Sequence, residues 1–204
     1  MRLGILGGTF DPVHLGHLII AQEAAGRLAL DRVLFIPAGR PYLRADEPSA
    51  SGRRRLAMLR AAVRGNPLFD VSTVELDRPG PSYTVDTLEG LRSELGDDTD
   101  LYFIVGADTL ADLPRWRSPE RVLALCTMVA VTRPGHPLRT PEGLERLCPG
   151  AGERIVALNG PEIGISATEV RRRVAEGRPV RYWVPAGVER YIERHGLYRK
   201  EATA

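Results

Sequence analysis

Apolar and polar positions along the chain switch repeatedly between the two-residue repeat of a strand and the longer repeat of a helix. Residues 3–6 are apolar and stop at Gly7-Gly8, which predicts a short strand and a tight turn. Residues 15–30 predict a helix, and 32–36 a buried strand that stops at Pro37. Residues 53–63 predict a helix with Leu56, Leu59 and Val63 on one face. The pattern continues as an alternating strand over 69–76, a helix over 85–95 and a buried strand over 101–105 that ends at Gly106. A helix over 119–125, a strand over 127–132, a weaker strand over 155–158 and helices over 168–176 and 188–194 complete it.

Strand alternating with helix predicts a doubly wound, Rossmann-like α/β fold, a parallel sheet with helices on both faces. One domain over 1–204 is expected, with a small C-terminal helical segment at about 166–198. Gly7-Gly8, Pro37-Ala38-Gly39 and Gly106-Ala107-Asp108 each follow a predicted strand. Ligands of such sheets sit beyond the carboxyl ends of the strands, so these turns are expected to converge on one crevice. Residues 39–52 lack periodicity and carry Pro, Ser and Gly, which predicts a mobile loop beside it. The tail 201–204 is expected to fray.

Composition narrows the chemistry. A net charge of +2 excludes a dedicated nucleic-acid binder, which would carry a basic stripe. Lys200 is the only lysine, so a P-loop is excluded and any phosphate grip must come from arginine, histidine or backbone N–H groups. Cys126 and Cys148 have the spacing of neither a zinc cluster nor a disulfide framework and read as free thiols. The first residues do not form a signal peptide, and no apolar window reaches transmembrane length. The expectation is a soluble cytoplasmic protein with no membrane or nucleic-acid partner.

The chemistry concentrates in Gly7-Gly8-Thr9-Phe10-Asp11-Pro12-Val13-His14-Leu15-Gly16-His17. Two glycines after a strand let the backbone turn and a ligand come close. A helix starting near His14 offers free N–H groups to an anion. His14 and His17 project towards the same helix entrance, with Gly16 between them. Two imidazoles over a helix start suit a polyphosphate. A half metal site is the other reading, but no acidic or cysteine cluster nearby completes it. A second segment, Ile165-Ser166-Ala167-Thr168-Glu169-Val170-Arg171, gathers hydroxyls and a guanidinium where a helix should begin. Alone it reads as an ordinary helix cap before a basic helix.

The first string resembles the signature of the (T/H)-x-G-H nucleotidyltransferase superfamily, and in its full extent that of the bacterial nicotinate-nucleotide adenylyltransferases. The 165–171 segment is similar to that family's second signature. Ser82-Tyr83-Thr84-Val85-Asp86-Thr87-Leu88, Gly106-Ala107-Asp108 with Trp116, and the stretch from Trp183 to Tyr198 resemble three further segments in the family's order. The resemblance implies transfer of the adenylyl group of ATP to nicotinate mononucleotide, giving nicotinate adenine dinucleotide and pyrophosphate, in NAD biosynthesis. It implies that His14, His17 and Arg171 act on the phosphates and that Gly7, Gly8, Thr9, Phe10, Ser166, Thr168 and Asp108 bind ATP. It places Tyr83, Thr84, Trp116 and Arg44 at the pyridine nucleotide. Magnesium would come with ATP, with no ligand set built into the protein. A homo-oligomer is permitted, without a defined interface.

The chain departs from the family where Pro-Pro-His-Lys is usual: here stand Arg40-Pro41-Tyr42-Leu43-Arg44. Arg44 keeps the charge, whereas Leu43 donates no hydrogen bond. Arg133 is a further candidate for phosphate. Three alternatives stay open at this point. They are a nicotinamide or dual-specific enzyme, a phosphopantetheine adenylyltransferase, and a non-catalytic nucleotide-binding module.

Overall fold

The computed structural model describes residues 1–41, 49–132, 143–161 and 163–200. Six strands build one sheet: β1 (Arg2–Gly8), β2 (Arg32–Pro37), β3 (Phe69–Val71), β4 (Asp100–Gly106), β5 (Thr127–Thr132) and β6 (Ile155–Asn159). Every pairing is parallel, and the order is β3-β2-β1-β4-β5-β6. The chain winds outward from β1 to β3, returns to place β4 beside β1, and winds outward again. The direction of winding therefore reverses between β1 and β4. Loops leaving these two strands diverge there, which opens a crevice beyond their carboxyl ends.

The helices are α1 (Leu15–Arg27), α2 (Gly52–Val63), α3 (Thr84–Leu95), α4 (Ala107–Leu110), α5 (Pro119–Leu125), α6 (Leu144–Leu147), α7 (Ala167–Ala175) and α8 (Ala186–His195). Successive strand residues face opposite sides of the sheet. Ile5, Ile36, Phe103 and Met128 pack with Leu88 of α3 and Val122 of α5. Leu6, Phe35, Ile104 and Val129 pack with Ala21 of α1, Met58 of α2, Val170 of α7 and Val188 of α8. Each large apolar side chain so buried contributes about 1.5–3 kcal/mol. These two layers, more than helix propensity, hold helices this short in place.

The predicted fold class and most element bounds agree with the structure; the exceptions have local causes. The strand expected over 69–76 ends at Val71, because β2 offers partners only to Phe69, Asp70 and Val71. Beyond it the Asp77 N–H bonds the Thr73 carbonyl at 2.9 Å, which closes a turn. Helix α1 stops at Arg27, short of residue 30, because Ala29 takes the left-handed region (φ 46°) and the Leu28 and Leu30 N–H groups bond back to Ala24 and Ala25. Helices α4 and α6 have four residues each, too few to show a period. The central part of the loop expected to be mobile and the 201–204 tail lie outside the described residues. Both cysteines are free and buried, and burial pushes the Cys126 thiol up to about 12, so it stays protonated. Among the described residues, no helix is long and apolar enough to cross a membrane.

Candidate active site

The loop from β1 to α1 is shaped by Phe10. Its backbone is left-handed (φ 50°), a region that costs a non-glycine residue about 1–3 kcal/mol. Burial of the ring offsets that cost. The ring is 2% exposed, lies beneath Gly8 and meets the His17 ring edge-on at 5.0 Å. Phe10 therefore turns its backbone to the crevice and its side chain to the core.

His14 is the N-cap of α1 and is buried; His17 is half-buried. Their rings stack at 3.7 Å with 29° between planes. His17 Nδ1 accepts the His14 backbone N–H at 3.2 Å. A neutral His17 therefore carries its proton on Nε2, as a donor. Gly16 makes room for this pair: a Cβ there would press on His14 Nδ1 at 3.0 Å. One expectation needs correction here. The helix start is expected to offer free N–H groups, but the Leu15 N–H bonds the Trp183 carbonyl and the His17 N–H bonds the His14 carbonyl, both at 3.0 Å. The anion-attracting groups at this entrance are mainly imidazoles.

A further part of the wall is the start of α7. Ser166 caps it, accepting the Glu169 N–H at 3.2 Å, so the plain capping reading of this serine holds while it also faces the crevice. The N–H groups of Ala167 and Thr168, in the helix's first turn, have no intrahelical acceptor. Arg171 donates from Nη1 to the Asp11 carbonyl at 2.7 Å and from Nη2 to Thr168 Oγ1 at 3.4 Å. The guanidinium is thereby fixed beside the β1 loop with donors to spare.

These walls enclose a crevice of about 700 Å³. Gly7, Gly8, Thr9 and Phe10, the two histidines, Asp108, Ser166, Thr168 and Arg171 all line it. Tyr83, Thr84 and Trp116 do not. Tyr83 and Trp116 pack against the α3 side of the sheet, Tyr83 with the Arg117 guanidinium 4.7 Å from its ring. Trp116 meets Phe103 edge-on at 5.9 Å, and the Phe103 ring fills the space beside Gly7. Thr84 opens α3. Tyr42, Leu43, Arg44 and Arg133 lie outside the described residues. Among the described residues no three His, Cys, Asp or Glu side chains gather as metal ligands. Asp108 is exposed on the crevice wall and suits a cation that arrives already held by phosphates.

Three residues that hold the site were not singled out in the sequence. Asp11 is 4% exposed, and its carboxylate accepts the N–H groups of Ser49 (2.7 Å) and Ala50 (3.2 Å) and the Tyr198 hydroxyl (2.6 Å). Burial and this bond to Asp11 push the Tyr198 phenol well above its ordinary range. Arg55, 1% exposed, donates to the carbonyls of Thr9 (2.7 Å), Ala38 (2.8 Å) and Ala50 (3.2 Å). Burial pushes its guanidinium down, and the nearby Asp11 carboxylate pulls it back. Asp11 and Arg55, two buried charged groups, thus tie together the β1 loop, the end of β2, the approach to α2 and the C-terminal segment.

A doubly wound sheet with histidines and an arginine over its switch-point crevice defines a nucleotide-handling protein. The chain belongs to the cytidylyltransferase-like family, whose model matches residues 5–173. Its relatives narrow the group. A probable nicotinate-nucleotide adenylyltransferase of Roseiflexus sp. is 52% identical over 197 residues, covering 97% of this chain and 98% of its own. One of Thermus thermophilus is 52% identical over 199 residues, covering 98% and 100%. Among solved structures, Plasmodium falciparum nicotinic acid mononucleotide adenylyltransferase complexed with NaAD superposes with a TM-score of 0.77. It covers 97% of each chain at 19% identity, a likeness of fold.

Proposed function

We propose that this protein transfers the adenylyl group of ATP to nicotinate mononucleotide, giving nicotinate adenine dinucleotide and pyrophosphate, a step of NAD biosynthesis. The observation that carries the proposal is that His14, His17 and Arg171 line one crevice at the switch point. The names of the relatives, with near-complete coverage at 52% identity, support the same substrate. A biosynthetic step that consumes ATP is assigned to the cytoplasm.

The 5′-phosphate oxygen of the mononucleotide attacks the α-phosphorus of ATP in line. The bond from that phosphorus to the bridging oxygen breaks, and pyrophosphate leaves. The nucleophile is already an anion, so no general base is needed and no covalent enzyme intermediate forms. Catalysis is positioning and charge stabilisation. His17 donates from Nε2 to phosphate oxygen, His14 stacks behind it, and Arg171 approaches from α7. The amides of Gly8 and Thr9 and the start of α7 cradle the chain of phosphates, and Asp108 lies by the sugars. Bound magnesium would neutralise phosphate charge, with Asp108 an exposed carboxylate on the crevice wall. Tyr83, Thr84 and Trp116 receive the pyridine nucleotide beside the crevice, with Phe103 between Trp116 and Gly7; the family resemblance assigns Arg44 to the same nucleotide.

The choice of acceptor is tested by comparing kcat/KM for nicotinate mononucleotide with that for nicotinamide mononucleotide under saturating ATP and magnesium. A hydrogen-bonding site built for carboxylate is expected to favour nicotinate by about a hundredfold or more. Equal values would make the enzyme dual-specific.

A further inference from the structure

One buried carboxylate plays no part in the chemistry above. Glu75 follows β3 and is 9% exposed. Its Oε1 accepts the Thr87 hydroxyl at 2.8 Å, and the Ser82 hydroxyl faces the same carboxylate; both favour its ionised form against burial, which pushes it up. Arg78 lies nearby and donates to Thr87 Oγ1 at 3.2 Å. Ser82 Oγ in turn accepts the N–H groups of Gly39 (3.0 Å) and Arg40 (3.3 Å), and the Ser82 N–H bonds the Arg40 carbonyl at 2.9 Å. Gly39 packs so closely on Glu75 that a Cβ would overlap the Glu75 carbonyl oxygen. The same turn reaches the β1 loop, because the Ala38 N–H bonds the Gly8 carbonyl at 2.8 Å.

The donor count explains why a carboxylate stands here. A serine hydroxyl has one donor and two acceptor sites. The N–H groups of Gly39 and Arg40 take both lone pairs of Ser82, which leaves its proton for an acceptor, and Glu75 is the carboxylate beside it. An ionised carboxylate only accepts, so it directs the Ser82 and Thr87 hydroxyls alike. An amide would present a donor to one of them and compete with the backbone.

We infer that Glu75 is a positioning residue for the acceptor nucleotide: through Ser82 and Thr87 it locks the 38–41 turn to the start of α3, where Tyr83 and Thr84 stand. The inference rests on the reading that Tyr83 and Thr84 meet the pyridine nucleotide. Glu75 touches neither substrate; its bond to Thr87 falls on α3, whereas the β1 loop, although reached through Ala38 and Gly8, is also held by Arg55 and Arg171, so the effect falls mainly on the acceptor.

The test is steady-state kinetics of the full chain, Glu75→Gln, Ser82→Ala and the double variant, with nicotinate mononucleotide and ATP each varied. Each single variant is expected to raise KM for nicotinate mononucleotide about tenfold, on the scale of one hydrogen bond to a charged group, with KM for ATP within about twofold. The double variant is expected to match the worse single one, because both changes break one relay. A general loss of folding would move both KM values or lower the active fraction without moving either. Equal rises in the two KM values, no rise in either, or additive effects in the double variant would overturn the inference. An unaltered chain that turns over no pyridine mononucleotide would overturn the parent reading, and this inference with it.

Discussion

Replacement of His17 by alanine is expected to lower kcat about a hundredfold or more, the scale for removing one donor aimed at charge that builds in the transition state. The local geometry makes this the most informative single change in the site. His17 Nδ1 is occupied by the His14 N–H at 3.2 Å, so the ring's chemistry towards substrate rests on Nε2. Both histidines line the crevice, but His14 is the more buried and doubles as the helix cap. KM for ATP is expected to change by less than about tenfold, since Arg171 and the start of α7 still hold the phosphates in the ground state. Steady-state kinetics on the variant, with thermal melting to verify folding, provides the check. A kcat within threefold of the unaltered protein would remove His17 from the transition state.

Replacement of Arg55 by methionine is expected to cost about 3–5 kcal/mol of stability, the scale of leaving several buried carbonyls without their donor. Methionine fills much of the volume but donates nothing. The carbonyls of Thr9, Ala38 and Ala50 would lose their guanidinium donor, and Asp11 would lose its neighbouring positive charge. Lysine is not a substitute, because one ammonium cannot reproduce a planar fork aimed at three carbonyls. Urea unfolding measures the loss, with an unchanged slope showing that the same surface is exposed. A loss below about 1 kcal/mol would mean that water or a backbone shift satisfies those carbonyls.

The sheet and the phosphate crevice were legible because their signals are local. A run such as 101–105, apolar throughout and stopped by Gly106, is what a strand buried on both faces looks like. The β1 loop announced itself by glycines and histidines at fixed offsets. What could not be read depends on long-range contact. Arg55 sits in Gly52-Arg53-Arg54-Arg55, where its two arginine neighbours are exposed; only tertiary packing makes it 1% exposed. Glu75 interrupts an apparent strand, and its burial follows from the short pairing of β3 with β2. The Leu15 N–H looked open because its partner, the Trp183 carbonyl, lies at the far end of the chain. Tyr83 and Trp116 were identified through resemblance, and their place beside the crevice instead of in its wall follows from Phe103, which stands between Trp116 and Gly7.

The central prediction is direct adenylyl transfer from ATP in the switch-point crevice to a mononucleotide bound beside it. It is tested by incubating the protein with ATP, magnesium and nicotinate mononucleotide and quantifying pyrophosphate and dinucleotide together. The account predicts one pyrophosphate for each nicotinate adenine dinucleotide, no pyrophosphate when the mononucleotide is left out, and no adenylylated protein in the mass spectrum. Pyrophosphate released without acceptor, an adenylyl group found on the protein, or no dinucleotide at all would contradict it.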